Sequence, residues 1–330
     1  MAFTERGGIE AGFGPVFDTD IAPQLVRLEA DRVTAAASAR NRLLVSTGLG
    51  AAAGAMISSL MEVWGPLLFL GITGLVVGFV LRGWVMAGWK GRVADAVMPP
   101  VLRFVGDLAY SREAEGGFPL GAMRDLGLFG AFNRQNLSHK VRGQWQGTGF
   151  EMVQANLRKR SSGGSNGSGS TRVVFQGLLF AIEVPETSPT PILIAREYGK
   201  LANQLSGFFA FGKRRGMPRV EFDHAAFEEV FEVHAEDPDA ARAFMPLAFL
   251  DTLLAIGDAE GGQQGAKSMT AGFEGDRFYL ALAKGLGFLD LGDVDRTILD
   301  IEEALHALFD DLTIIRRIID RLHGAQPVAA

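Results

Sequence analysis

His224, His234 and Asp237 stand close together in the sequence, with Asp223 beside the first of them. Two imidazoles and a carboxylate are a donor set that could hold a metal ion. Adjacent strands would have to bring the three together. The competing account is ordinary: surface histidines beside acids. The five histidines, His139, His224, His234, His306 and His323, form no His-x-x-x-His or His-Glu-x-x-His array. The three positions are metal candidates on proximity alone, and no metal or cofactor is expected.

Other chemistry finds less support. The chain has no cysteine, so disulfides, thiolate nucleophiles and cysteine metal sites are excluded. Gly207–Gly212 is followed by Lys213, but its phenylalanines crowd a place where phosphate needs exposed backbone N–H groups. Phe208, Phe209 and Phe211 with Lys213, Arg214 and Arg215 instead suggest an aromatic tip with a basic collar. Such a tip could dip into a membrane face, meet a partner, or pack its rings on a sheet. The acidic pairs Glu302-Glu303 and Asp310-Asp311 lie on the polar side of a predicted helix, with nothing to position an acid–base partner. No catalytic residue emerges.

The elements that would position these groups begin at a membrane. Residues 43 to 81 carry a single charged side chain, Glu62. Leu43–Met61 and Val63–Leu81 each approach the ~20 apolar residues needed to cross a bilayer. A carboxylate is costly inside the bilayer and cheap in a turn at its far surface. The expectation is therefore a two-helix hairpin turning at Glu62. Arg40, Arg42, Arg82, Lys90 and Arg92 flank it, and its turn has neither lysine nor arginine. By the positive-inside rule both termini lie in the cytoplasm. Trp64, Trp84 and Trp89 are candidate interfacial anchors or partner contacts. Gly50-x-x-x-Gly54 is a close-packing pattern, facing either the second span or another copy.

The predicted organisation is a cytoplasmic segment with a juxtamembrane helix (1–42), the hairpin (43–89), linker helices (90–135) and a cytoplasmic α+β domain (136–330). The juxtamembrane helix covers Asp20–Arg42, and a linker helix covers Gly91–Arg112, kinked or restarted at Pro99 and Pro100. From His139 the period becomes two, which predicts strands. A flexible glycine-serine loop occupies 161–170. Further strands are expected at Thr171–Glu183, Pro191–Glu197, Val220–Phe222 and Val230–Val233. A hairpin should turn at Gly275 between Ser268–Phe273 and Arg277–Leu282. Asp239–Ile256 reads as a helix despite Pro246.

The last helix, Asp295–Leu322, has a seam of Ile298, Ile301, Leu305, Leu308, Leu312, Ile315, Ile319 and Leu322, spaced three and four apart. It either packs on its own domain or joins copies in a coiled coil. The net charge of −6 disfavours nucleic acid as a partner.

Several motifs resemble those of the bacterial membrane-protein family DUF3137. They are the N-terminal hairpin, the strand pair around Val141–Met152, Phe175-x-Gly177-x-Leu179-Phe180, and the run from Val220 through Phe227, Phe231 and Val233 to Asp237. A helix containing Met245-Pro246 follows that run, then the paired strands at Phe273 and Phe278–Leu282. The resemblance covers residues 40 to 310. It implies a bacterial inner-membrane protein with a cytoplasmic mixed α/β domain, and it implies no reaction or ligand. It also hints at small coiled-coil membrane proteins of the LemA type as partners. The 161–170 loop is longer and more polar than the family pattern.

The reading is thus an α+β protein: a transmembrane hairpin, a largely antiparallel sheet and a long C-terminal amphipathic helix. It would present a cytoplasmic binding or scaffold domain to a membrane or cytoplasmic partner, or to further copies of itself. The alternatives are a membrane-tethered enzyme with an unrecognised site, or a subunit of an oligomeric channel or transport assembly.

Overall fold

The computed structural model describes residues 2–106, 108–114, 116–161, 169–196, 216–261, 266, 268–285, 291 and 297–323. The chain divides into two compact units. One comprises Met1–Val105 with Asp290–Phe309, the other Gly106–Leu289 with Asp310–Ala330.

The first unit is dominated by two long helices. After a short turn α1 (Gly14–Val16), α2 runs from Ala22 to Met61 and α3 from Gly65 to Gly106. The juxtamembrane helix and the first span are one continuous element: Pro23 lies in the first turn, where a helix accepts it, and no proline follows before Met61. Both helices are long and apolar enough to cross a membrane. Glu62 adopts the left-handed conformation (φ 55°) and ends α2.

Pro99 and Pro100 lie inside α3 and do not end it. The helix stops at Gly106, and Ala109–Glu113 forms strand β1. This corrects the expectation of helix through Arg112. The apolar spacing ends near Leu108, and the residues beyond it pair with a strand.

Residues 2–17 and the start of the C-terminal helix α8 (Glu302–Leu322) complete this unit. Phe13 contacts Phe3, Phe104 and Phe309, with ring centroids 5.1, 5.1 and 4.8 Å away. Glu5 accepts from the backbone N–H groups of Gly12 and Gly14, both at 2.8 Å. Buried His306 and Glu10 meet at 2.7 Å.

Among the described residues, the second unit is a nine-stranded antiparallel sheet with helices. Its strands are β1, β2 (Arg134–Trp145), β3 (Thr148–Arg160), β4 (Thr171–Glu183), β5 (Ile192–Arg196), β6 (Arg219–Val220), β7 (Phe231–Ala235), β8 (Met269–Glu274) and β9 (Arg277–Ala283). The order is β1-β2-β3-β4-β9-β8-β5-β7-β6. The β8–β9 hairpin is thus inserted between β4 and β5. Its register runs from Met269↔Leu282 to Glu274↔Arg277, with Gly275 at φ 62° in the turn.

One sheet face carries Val153, Ala155, Leu157, Leu179, Ala181, Tyr279 and Ala281 under α4 (Leu120–Leu126). The opposite face carries Phe273 and Phe278, and Phe244 and Phe249 pack on Phe273. Burial on both faces explains why β4 and β9 read as continuous apolar runs.

The helix expected at Asp239–Ile256 is two helices. The short α5 (Ala225–Glu228) precedes α6 (Pro238–Phe244), and Met245-Pro246 turns the chain by 77° into α7 (Leu247–Glu260). Proline cannot supply the N–H that a continuous helix needs there.

Candidate functional site

The hairpin's geometry follows from its glycines. A Cβ at Gly50 would overlap the Leu70 carbonyl and come within 3.0 Å of Gly74 Cα. One at Gly54 would lie 2.7 Å from Leu67 Cα, and one at Gly78 would lie 2.9 Å from Leu43 Cδ1. The Gly50-x-x-x-Gly54 face therefore meets the second span of the same chain, backbone against backbone. Ser58 accepts from the Leu67 N–H at 3.0 Å near the turn, so a polar side chain helps hold the two helices.

Two tryptophans stand at the hairpin's surface: Trp64 is 78% exposed and Trp84 70%. Trp89 is fully buried, which corrects its assignment as a membrane or partner contact. It shares one helix face with buried Val93 and Val97, four and eight residues on. An aromatic near the end of an apolar run reads alike whether bilayer or protein covers it.

The three metal candidates hold other positions. His224 Nδ1 accepts from the Phe227 N–H at 3.2 Å, which caps α5. With Nδ1 accepting, Nε2–H donates to Asp251 at 2.9 Å. Asp237 caps α6, accepting from the N–H groups of Asp239 and Ala240 at 3.1 and 3.0 Å. His234 lies on β7, with Nδ1 3.3 Å from the Met217 carbonyl and Nε2 3.4 Å from Glu232. Among the described residues no group of three His, Cys, Asp or Glu could hold a metal ion. Proximity in sequence did not become a shared pocket, because strand and cap geometry aim these groups at different partners.

The aromatics of the same run face inward. Phe222, Phe227, Phe231 and Val233 are buried, and the rings of Phe227 and Phe231 meet at a tilt with centroids 5.2 Å apart. Phe208, Phe209, Phe211, Lys213, Arg214 and Arg215 lie outside the described residues.

The C-terminal seam is buried from Ile298 to Ile319, with Leu322 half-buried at its end. Phe309, Ile314 and Ile318 are buried as well. Ile298 belongs to a short 3₁₀ turn before α8. The seam is therefore covered by its own chain.

A feature the sequence did not flag is a shallow basin of about 320 Å³ at one end of the sheet. Arg142 and Glu151 face each other across β2 and β3, as do Glu183 and Arg277 across β4 and β9. Arg277 lies 3.5 Å from Glu183, and Lys140 lies 3.0 Å from Glu151. No local signal in the sequence brings these residues together; strand order does.

The fold combines two helices long and apolar enough to cross a membrane with a mixed α/β region. Residues 173–323 match the family described as "Protein of unknown function (DUF3137)". No curated protein matches the chain. Among solved structures, it aligns with the crystal structure of the mycobacterial trehalose monomycolate transport factor A, TtfA. That alignment covers 68% of this chain and 92% of the other, at 12% identity and a TM-score of 0.33. A likeness of that size carries no inference here.

Proposed function

We propose that the protein is an inner-membrane anchor whose α/β region serves as a non-catalytic binding or scaffold domain in the cytoplasm. What supports a binding role best is the use made of the groups that could do chemistry. His224 and Asp237 cap helices, and His234 sits against a backbone carbonyl and Glu232. The cytoplasmic placement is supported by the flanking arginines and lysine and by a turn without them. The partner would be a membrane or cytoplasmic protein, the LemA type being one candidate, or further copies joined through surfaces other than the C-terminal seam.

Side and partner are tested together. The chain lacks cysteine, so single cysteines report cleanly. In intact cells, Glu62→Cys should react with a membrane-impermeant maleimide. Glu186→Cys should react only after the inner membrane is opened. Crosslinking at Glu186→Cys and at other exposed positions of the α/β region should then trap a stoichiometric partner. Labelling of Glu186→Cys in intact cells would overturn the orientation. Recovery of the uncrosslinked chain alone would overturn the binding role.

A further inference from the structure

The juxtamembrane end of α2 changes character within one turn, from Arg40-Asn41-Arg42 to Leu43. A groove of about 600 Å³ follows that change along the hairpin. Thr34, Ser38, Asn41 and Arg42, with Ala37, line its polar part; Val45, Leu49 and Leu81 line its apolar part, where the hydroxyl of Ser46 is bonded to the Leu43 carbonyl. From Thr34 to Leu49 it extends ~22 Å along the helix at 1.5 Å per residue. Its polarity therefore changes where a leaflet's own polarity changes, from headgroup to acyl chain.

The charge is also suited to a lipid. Arg42 is exposed and has no carboxylate partner among the described residues. The two acids on the preceding turns have cations of their own: Glu29 is 2.8 Å from Arg32, and Asp31 is 3.8 Å from Arg92. Val45 and Leu49 are 59% and 67% exposed, leaving apolar surface for a chain to cover.

We propose that this groove binds one anionic glycerophospholipid. Arg42 takes the headgroup phosphate, Asn41 and Ser38 hydrogen-bond beside it, and one acyl chain lies along Val45, Leu49 and Leu81. The site rests on the two-span reading of the hairpin but not on which side of the membrane its ends face. Arg40 is exposed and does not line the groove, so it serves as an internal control of equal charge.

The test uses the full chain in nanodiscs of equimolar phosphatidylglycerol and phosphatidylethanolamine, released into native mass spectrometry. One retained phosphatidylglycerol is expected, favoured about fivefold over phosphatidylethanolamine, as one basic side chain at a lipid surface supplies. Arg42→Gln should bring the two lipids to parity, and Arg40→Gln should leave the preference intact. Ser38→Trp, which fills the groove and keeps the charge, should release the bound lipid. Equal retention by the unaltered chain, or equal losses in Arg40→Gln and Arg42→Gln, would overturn the site in favour of general surface charge. A chain that does not enter nanodiscs at all would instead overturn the two-span reading.

Discussion

The indole N–H of Trp145 donates to Asp320 Oδ1 at 2.7 Å, joining the tip of the β2–β3 hairpin to the last turn of α8. Gln146 Nε2 donates to the same oxygen at 2.9 Å, and Thr148 Oγ1 lies 3.0 Å from His323 Nε2. Gln146 and Gly147 both have positive φ, which suits the right-handed twist of a tight hairpin. Arg316 lies over the Trp145 ring, 4.1 Å from its centroid. Burial lowers the Arg316 pKa from its ordinary value, and Asp320 opposes that shift. Asp320→Ala removes two hydrogen bonds and leaves the indole N–H without its acceptor. A loss of ~1–3 kcal/mol is expected, with faster hydrogen exchange at residues 143–150. An unchanged melting temperature and exchange pattern would show the clasp to be incidental.

Glu260 closes α7 against α8. It is 8% exposed and receives both N–H groups of the Arg317 fork, at 2.7 and 2.8 Å. The bonded carboxylate raises the Arg317 pKa above its ordinary value. Glu260→Ala strands a cation whose side chain is 35% exposed. The expected loss is ~3 kcal/mol, the low end for breaking a buried pair because Arg317 keeps some water. Glu260→Gln, which keeps one acceptor, should cost less. Chemical denaturation in detergent separates the two variants.

The hairpin leaves no room for a side chain where its helices touch. Gly50→Leu must push α2 away from Leu70 and Gly74, both backbone neighbours that cannot rotate aside. Overpacking of this kind costs ~1–3 kcal/mol. Gly48→Leu is the control, since a Cβ there meets nothing. Thermal scans in mild detergent should show a lowered midpoint for Gly50→Leu only.

Acid should release the N-terminal segment. The Thr4 N–H bonded to Glu302 at 2.8 Å lowers the Glu302 pKa below 4.5, and the N–H groups of Gly12 and Gly14 do the same for Glu5. A folded-state pKa below the unfolded one contributes stability that is present above the unfolded value. It is lost as pH falls through the folded value. The protection of residues 2–14 against hydrogen exchange, measured relative to the intrinsic rate at each pH, should therefore be high near neutral pH and fall below pH 4.5. Glu302→Gln should show part of that loss of protection already at neutral pH. A pH-independent profile would contradict this account.

The hairpin, the strands after His139 and the C-terminal helix were legible because each is a local pattern. Apolar length sets a span, and a period of two or of three to four sets a strand or a helix. Met245-Pro246 was visible as an objection to one helix, and the structure turned it into a 77° bend. β1 was not legible, since Ala109–Glu113 is mostly exposed and polar and is a strand only because β2 pairs with it.

What covers an apolar face is not a local property, and there the sequence left its alternatives open. The seam from Ile298 to Leu322 had the spacing of a coiled coil and of a packed helix alike, and in the tertiary structure its own chain covers it. Trp89 had the position of an interfacial anchor and is enclosed by protein. Gly50 and Gly54 could have faced another copy and instead face Leu70, Gly74 and Leu67. Hydrophobic periodicity determines that a surface must leave water. Only the three-dimensional packing of distant segments decides which surface meets it.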